Sequence, residues 1–188
     1  MVFVQIGWAV KHLQSEWLRR LIKEAKFVTA MFPQVRKNII RSDKMKLRAI
    51  ERHEDRANEA YNSSECQLLL DAYEDLYPKI GFNLPWVGYF VISDERIVGS
   101  CGFVGQPKDS NVEIAYWTFK EFEGQGVASF ACQELISIAH KADPSLRVTA
   151  KTAPENNAST KILEKNGFVF EEIVQDHEIG DAWLWIRK

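Results

Sequence analysis

Cysteine is scarce in this 188-residue chain: Cys66, Cys101 and Cys132 are widely spaced and odd in number. That pattern excludes a disulfide framework, and the lack of any Cys-x-x-Cys or His-Glu-x-x-His run removes the usual zinc signals. All three thiols sit in apolar segments and read as buried and reduced. Histidine is also sparse, and His12, His53, His140 and His177 fall into no ligand or catalytic spacing. No apolar run approaches the ~18 residues of a membrane-spanning helix. The opening MVFVQIGWAV is apolar but lacks a basic leading segment and a small-residue cleavage site, so it does not read as a secretory signal. A net charge of −2 gives no excess of cations for a general nucleic-acid binder. The absences point to a soluble cytoplasmic protein without a metal.

What is present is a hydrophobic fraction of 46%, enough for a packed core, and an uneven charge. Residues 1–44 balance to +6 and residues 45–188 to −8, a basic head on an acidic body. Within the head, SEWLRRLIKEAKFVTAMF predicts a helix capped by Ser15 and ended by Pro33. Trp17, Leu18, Leu21, Ile22, Ala25 and Val28 recur at helical spacing, opposite Arg19, Arg20, Lys23 and Lys26. Such a helix packs on the body or on a second copy of the chain, which would make a homodimer. Its basic face also suits an anionic partner. We divide the chain into a basic helical extension, 1–44, and a main domain, 45–188.

The main domain alternates between strand and helix patterns. KLRAI (46–50) reads as a strand, and 53–76 as helical with a break at Asn62-Ser63-Ser64. PWVGYFVIS (85–93) and RIVGSCGFVG (96–105) flank Asp94-Glu95 as a hairpin, and NVEIAYWTF (111–119) is a third strand. A helix follows over 125–141, a strand over 146–150, and a helix over 157–166 that Asn166-Gly167 ends. FVFEEIV and DAWLWIRK close the chain as strands. The order β-α-β-β-β-α-β-α-β-β predicts an α/β fold with a mixed, mostly antiparallel sheet flanked by helices.

One junction carries chemistry. After the strand ending at Phe119, EGQGVA (123–128) places two glycines at the mouth of a helix. Glycine weakens a helix by about 1 kcal/mol relative to alanine, so two of them suggest a close approach to the backbone. The first amides of a helix lack internal partners and sit at the positive end of its dipole. With no side chains in the way, they form a phosphate cradle. A plain tight turn is the simpler reading of the same residues. The spacing is neither the Gly-x-Gly-x-x-Gly of a dinucleotide fold nor a P-loop.

VEIAYWTFKEFEGQGVAS and the downstream ENNASTKILEKNGF, in this order and with a strand between them, resemble the GNAT superfamily of acyl-CoA N-acyltransferases. The similarity is strongest to its ribosomal-protein N-terminal acetyltransferase branch and covers about residues 45–188. It implies an N-acetyltransferase that moves an acetyl group from acetyl-CoA, as co-substrate, to a primary amine in a ternary complex. Amides of Gly124, Gln125, Gly126, Val127, Ala128 and Ser129 would hold the coenzyme pyrophosphate. The backbone of Trp117, Thr118 and Phe119 would pair with the pantetheine arm, and Asn156 and Ser159 would lie beside it. Asn156 or Asn157 also serves as an N-cap for the helix that follows. The family usually has Arg or Gln at position 123, where this chain has Glu123. Many members use a tyrosine as thiolate acid at the position of Leu163, which leaves Ser159 or water for that role.

An amine must lose a proton before it attacks a thioester, and a lysine-like amine with pKa near 10.4 is almost wholly protonated at neutral pH. Glu113, on the strand beside the expected pantetheine gap, is the candidate base. For the acceptor, aromatic residues on an acidic body suit a cationic amine with apolar parts. Trp86 and Tyr116 are the candidate acceptor residues, with Phe82, Tyr89, Trp183 and Trp185 as further aromatic candidates. A protein N-terminus and a small-molecule amine both fit. The alternative is a non-catalytic acyl-CoA-binding or regulatory module of the same fold.

Overall fold

The computed structural model describes residues 44–176 and 180–187. The helix expected over 15–32 lies outside the described residues. The elements are β1 (Met45–Ala49), α1 (Ser64–Ile80), β2 (Gly88–Ser93), β3 (Arg96–Phe103), β4 (Asn111–Thr118), α2 (Val127–Ala142), β5 (Arg147–Thr152), α3 (Ala158–Lys165), β6 (Phe168–Asp176) and β7 (Gly180–Arg187). Their order is the one the periodicity predicts.

The clearest departure lies before α1. Helical character was expected from residue 53, but the chain is irregular there apart from a 3-10 turn at Glu59–Tyr61. Polar side chains compete for the backbone in this stretch. The Glu54 carboxylate accepts from the Glu51 amide at 3.0 Å, Asp55 from the Ala57 amide at 3.1 Å, and Asn58 from the Ala60 amide at 2.9 Å. Glu54 is also held by Arg48 and by the Tyr61 hydroxyl. The true helix begins at Ser64, where the Ser63 hydroxyl accepts from the Cys66 amide at 3.0 Å. It runs through Pro78 to Ile80. Proline there deprives the Glu74 carbonyl of its helical partner, but Glu74 is exposed and water can take that place.

The seven strands form one sheet in the order β1-β2-β3-β4-β5-β7-β6. Every neighbouring pair is antiparallel except β4 with β5, which the helical crossover through α2 makes parallel. Asp94 and Glu95 both take positive φ, 46° and 61°, and close the β2–β3 hairpin as a two-residue turn. The core draws its largest fully buried side chains from both faces, among them Leu69, Phe90, Ile114, Phe119, Leu135 and Leu163.

Two contacts assign the faces of β4. Tyr73 of α1 lies against Gly88 and Gly102, and Gly102 pairs with Ala115, so Glu113, Ala115 and Trp117 look toward α1. The Tyr116 hydroxyl instead approaches the Ser159 carbonyl of α3 at 3.5 Å, so Val112, Ile114 and Tyr116 look toward the opposite face.

Candidate active site

β4 and β5 share only three register pairs, Asn111 with Arg147, Val112 with Val148 and Glu113 with Thr149. Beyond them β4 stays with β3 as far as Thr118, while β5 stays with β7 as far as Thr152. The two parallel strands therefore fork. The Val104 amide donates to the Glu113 carbonyl at 2.9 Å, and the Phe119 amide donates to the Val98 carbonyl at 3.0 Å. Peptide groups alternate in direction along a strand, so those of Tyr116 and Thr118 face the fork. Of the three residues expected to offer backbone to a pantetheine arm, Thr118 is aimed into the opening. Phe119 has its N–H committed to β3, and Trp117 shares that direction.

The mouth of the fork leads into the glycine loop. A 3-10 turn at Lys120–Phe122 follows β4, then Gly124 and Gly126 take positive φ of 75° and 85°. Gly126 is the N-cap of α2 and provides no side-chain cap. The first helical bond runs from the Phe130 amide to the Gly126 carbonyl at 3.0 Å, leaving the amides of Val127, Ala128 and Ser129 ahead of it. The other two described α-helices differ: Ser63 caps α1, and Asn157 caps α3. Among the described residues, a Cβ added at Gly124 or Gly126 would meet nothing within 4 Å. Glycine here serves backbone conformation and clearance, which is what a bulky anion on bare amides requires.

The departure at position 123 is locally compensated. The Glu123 carboxylate pairs with the Lys120 ammonium at 2.9 Å, both exposed, and such a pair is screened by water. Gln125 turns its amide back to the Glu121 carbonyl at 3.3 Å. The loop is also tied to α1, because the Glu65 carboxylate accepts from the Lys120 amide at 2.8 Å. Burial raises the Glu65 carboxyl above its ordinary range; that amide pulls the other way, while Glu121 and Glu123 add to the rise.

On the other arm of the fork, Asn157 rather than Asn156 caps α3, accepting from the Ser159 amide at 2.9 Å and the Thr160 amide at 3.3 Å. The Thr160 hydroxyl accepts from the Asn157 amide at 3.0 Å and completes a capping box. Asn156 is thereby left exposed, and Ser159 is buried. Leu163 stands one turn after Ser159 and is fully buried, so an apolar side chain fills the place that the resemblance gives to a tyrosine.

At the apex stands Glu113, the last residue of β4 to pair with β5. The Lys151 ammonium lies 3.1 Å from its carboxylate and 3.4 Å from that of Asp176. The side chains of Glu113, Lys151 and Asp176 are only 19%, 25% and 10% exposed. Burial pushes the Glu113 carboxyl above the usual carboxylate range; Lys151 pulls it back, and Asp176 adds to the rise. Burial opposes the charge on Lys151, but the two carboxylates outweigh that and hold it above an ordinary lysine.

The acceptor residues divide. Trp86 packs edge-on against Phe103, ring centroids 4.9 Å apart, and next to Phe103 the 42% exposed Val104 is bonded to the Glu113 backbone. Tyr116 requires a correction. It is buried on the α3 face, opposite to Glu113, and cannot line an acceptor surface there. The further aromatic candidates are partnered within the protein. Phe82 packs on Tyr77, the Tyr89 hydroxyl donates to the Pro85 carbonyl at 2.7 Å, and the Trp185 indole donates to the Thr152 hydroxyl at 3.0 Å. Trp183 packs edge-on against Phe170 and at a tilt against Trp185. Sequence reasoning missed Lys151, Asp176 and Glu65. A period-two count from Thr149 would have put Lys151 on the face of Glu113, had the register been known. Asp176 and Glu65 carry no sequence signal that ties them to the fork.

The family model "Acetyltransferase (GNAT) domain" matches residues 33–169, well over half of the chain, and the chain belongs to that family. A Bacillus subtilis (strain 168) protein named as an uncharacterized N-acetyltransferase, YjdG, is 32% identical over 94 residues, 50% of this chain and 54% of that protein. The ribosomal-protein-serine acetyltransferase of Escherichia coli (strain K12) is 27% identical over 97 residues, again 50% of this chain and 54% of that protein. The chain thus spans about half the length of both relatives. A ribosomal L7/L12 α-N-protein acetyltransferase solved with coenzyme A superposes with a TM-score of 0.55 at 18% identity, over 77% of this chain and 93% of that one, a likeness of fold.

Proposed function

We propose that this GNAT-family chain transfers an acetyl group from acetyl-CoA to a primary amine, on a small molecule or at a protein N-terminus, by direct attack in a ternary complex. The observation that carries the reading is the β4–β5 fork opening onto uncapped amides that two glycines leave clear. In it the amides of Gly124 to Ser129 take the pyrophosphate, the peptide groups of Tyr116 and Thr118 pair with the pantetheine arm, and Asn156 and Ser159 flank that arm. When bound, the coenzyme supplies the acetyl group as an activated thioester. Glu113 takes the proton that the amine must lose. With Leu163 in the tyrosine position, Ser159 is the side-chain hydroxyl one turn away on the same face of α3, and we assign it the proton that the departing sulfur needs. Trp86 and Val104 border the acceptor side. The ribosomal-protein relatives favour a protein N-terminus, whose α-amine, with pKa near 8, needs less help in deprotonation than a lysine.

Residues 45–188 carry the transfer in this reading, and residues 1–44 are a basic extension that docks on an anionic partner or a second copy. The buried free thiols fit a cytoplasmic setting. Calorimetric titration with acetyl-CoA and with dephosphorylated pantetheine, followed by thiol release across an amine panel, tests the proposal. Pyrophosphate-dependent binding with amine-dependent thiol release is expected. Binding without release from any amine or peptide would favour an acyl-CoA-binding regulatory module, which the buried Leu163 also suits. Unchanged binding and activity on deleting residues 1–44, at low and high salt, would remove the docking role.

A further inference from the structure

We infer that Lys151 and Asp176 are positioning residues for the transfer: between them they hold the Glu113 carboxylate at the apex of the fork and govern its charge. The inference rests on the reading of Glu113 as the base.

The topology makes this arrangement specific. Glu113 and Thr149 are the last pair before β4 and β5 part, and Lys151 follows Thr149 by two residues, on the same face. Lys151 therefore stands on the arm of the fork opposite the one that carries Glu113, and its ammonium bridges back to it. Asp176 comes from farther away. It ends β6, the outermost strand, with β7 between β6 and β5. It reaches Lys151 while the β6–β7 ladder slips register between Phe170 and Glu172, an irregularity that bends a strand. Three elements thus converge on one ammonium, with all three charged side chains three-quarters or more withdrawn from water. Thr149 is the register partner of Glu113 on β5, and Val104 on its other side contributes a backbone N–H. Among the described residues, Lys151 and Asp176 are the charged groups that act on it.

The pair has opposed effects. A lysine alone beside Glu113 would stabilise the carboxylate and weaken it as a base. A second carboxylate on the same ammonium draws that cation away and restores proton affinity. A purely structural ion pair would need only one carboxylate and would leave the pH dependence of turnover alone.

The experiment follows the Glu113 carboxyl by carbon-13 NMR, assigned with Glu113→Gln, and the pH profile of kcat/KM in the same variants. Lys151→Met should move the Glu113 titration and the acid limb of the profile upward by about one pH unit or more. Asp176→Asn should move both downward. Lys151→Arg should stay near wild type in both readouts, and it serves with Asp176→Asn should Lys151→Met fail to fold. Shifts of the same sign in Lys151→Met and Asp176→Asn, or no shift in either, overturn the inference. If Glu113→Gln abolishes the acid limb but the Lys151 and Asp176 variants do not move it, this inference falls and the base survives. If Glu113→Gln leaves the limb in place, both fall.

Discussion

Tyr73 lies across two glycines of the sheet, Gly88 and Gly102, whereas among the described residues nothing lies across Gly124 and Gly126 at the head of α2. A Cβ at Gly88 would sit 2.1 Å from the Tyr73 ring, and one at Gly102 3.0 Å from its hydroxyl. A Cβ at Gly124 or Gly126 would meet no atom of the described residues within 4 Å. The first pair is glycine because the fold has already filled the volume. The second is glycine because the backbone turns left-handed there, and in the proposed reading the clear volume takes a pyrophosphate. Close packing inside and clearance at the mouth make the same residue type read alike in sequence and act oppositely in structure.

Substitutions should separate the two. Gly88→Ala drives a methyl into Tyr73, and Tyr77 beside it is tied to Ile50 and Gly88 through its hydroxyl, at 2.6 and 3.3 Å, so α1 must move as a unit. We expect a loss of about 3 kcal/mol or more, read as a fall in Tm of roughly 10 °C. The affinity of the remaining folded protein for acetyl-CoA should hardly change. A Tm within about 2 °C of wild type would mean that α1 shifts freely and that the comparison fails on its packed side.

At the open pair the pattern should reverse. Gly126→Glu sets a carboxylate before the amides of Val127 to Ser129 and forces a side chain into a left-handed position, φ 85°. The strain costs about 1–2 kcal/mol. Affinity for acetyl-CoA should fall about 100-fold, close to 2.7 kcal/mol, while affinity for dephosphorylated pantetheine stays level. Calorimetry that returns the wild-type affinity would refute the cradle.

Much of this was readable in advance, for identifiable reasons. The element order follows from periodicities that each segment carries by itself. The Gly-x-Gly loop announces itself because a strand, two glycines and a helix are contiguous. Gly88 and Gly102 announce nothing, because their reason is a tyrosine on another element. The same holds at the apex: Glu113 was visible as a carboxylate on the right strand, but Lys151 and Asp176 become relevant only through a register and a bent hairpin. Helical residues around Glu54 misled because side-chain bonds to nearby amides outcompete a helix, and propensity does not see them.

Glu65 tests whether the packed and open regions communicate, since it links α1 to the turn before the cradle. Glu65→Ala removes the acceptor of the Lys120 amide and should weaken acetyl-CoA binding about five-fold, the value of a typical hydrogen bond. Glu65→Gln keeps an acceptor and should bind like wild type. The sign of its effect on stability follows from burial. The folded protein raises the Glu65 carboxyl above its unfolded value, so ionisation at neutral pH burdens the fold, and that burden lifts as the pH falls through the folded value. Glu65→Gln should therefore be at least as stable as wild type at pH 7. Its margin should shrink as the pH falls and vanish below about pH 3, where the wild-type carboxyl is protonated in both states. A margin that grows on acidification would assign the opposite shift.

The smallest effect belongs to the residue that departs most visibly from the family pattern. Glu123 is exposed and paired with Lys120 at 2.9 Å, so its field at the cradle is opposed by a neighbouring cation and screened by water. Glu123→Gln should tighten acetyl-CoA binding by about two- to five-fold at low salt, and the gain should shrink as ionic strength rises. Lys120→Met should do the reverse, because it leaves the carboxylate unopposed beside the anion. A gain from Glu123→Gln that persists at high salt would place that carboxylate inside the cradle rather than at its rim. The open glycines would then have been cleared for a ligand that tolerates a negative side chain, which a pyrophosphate does not.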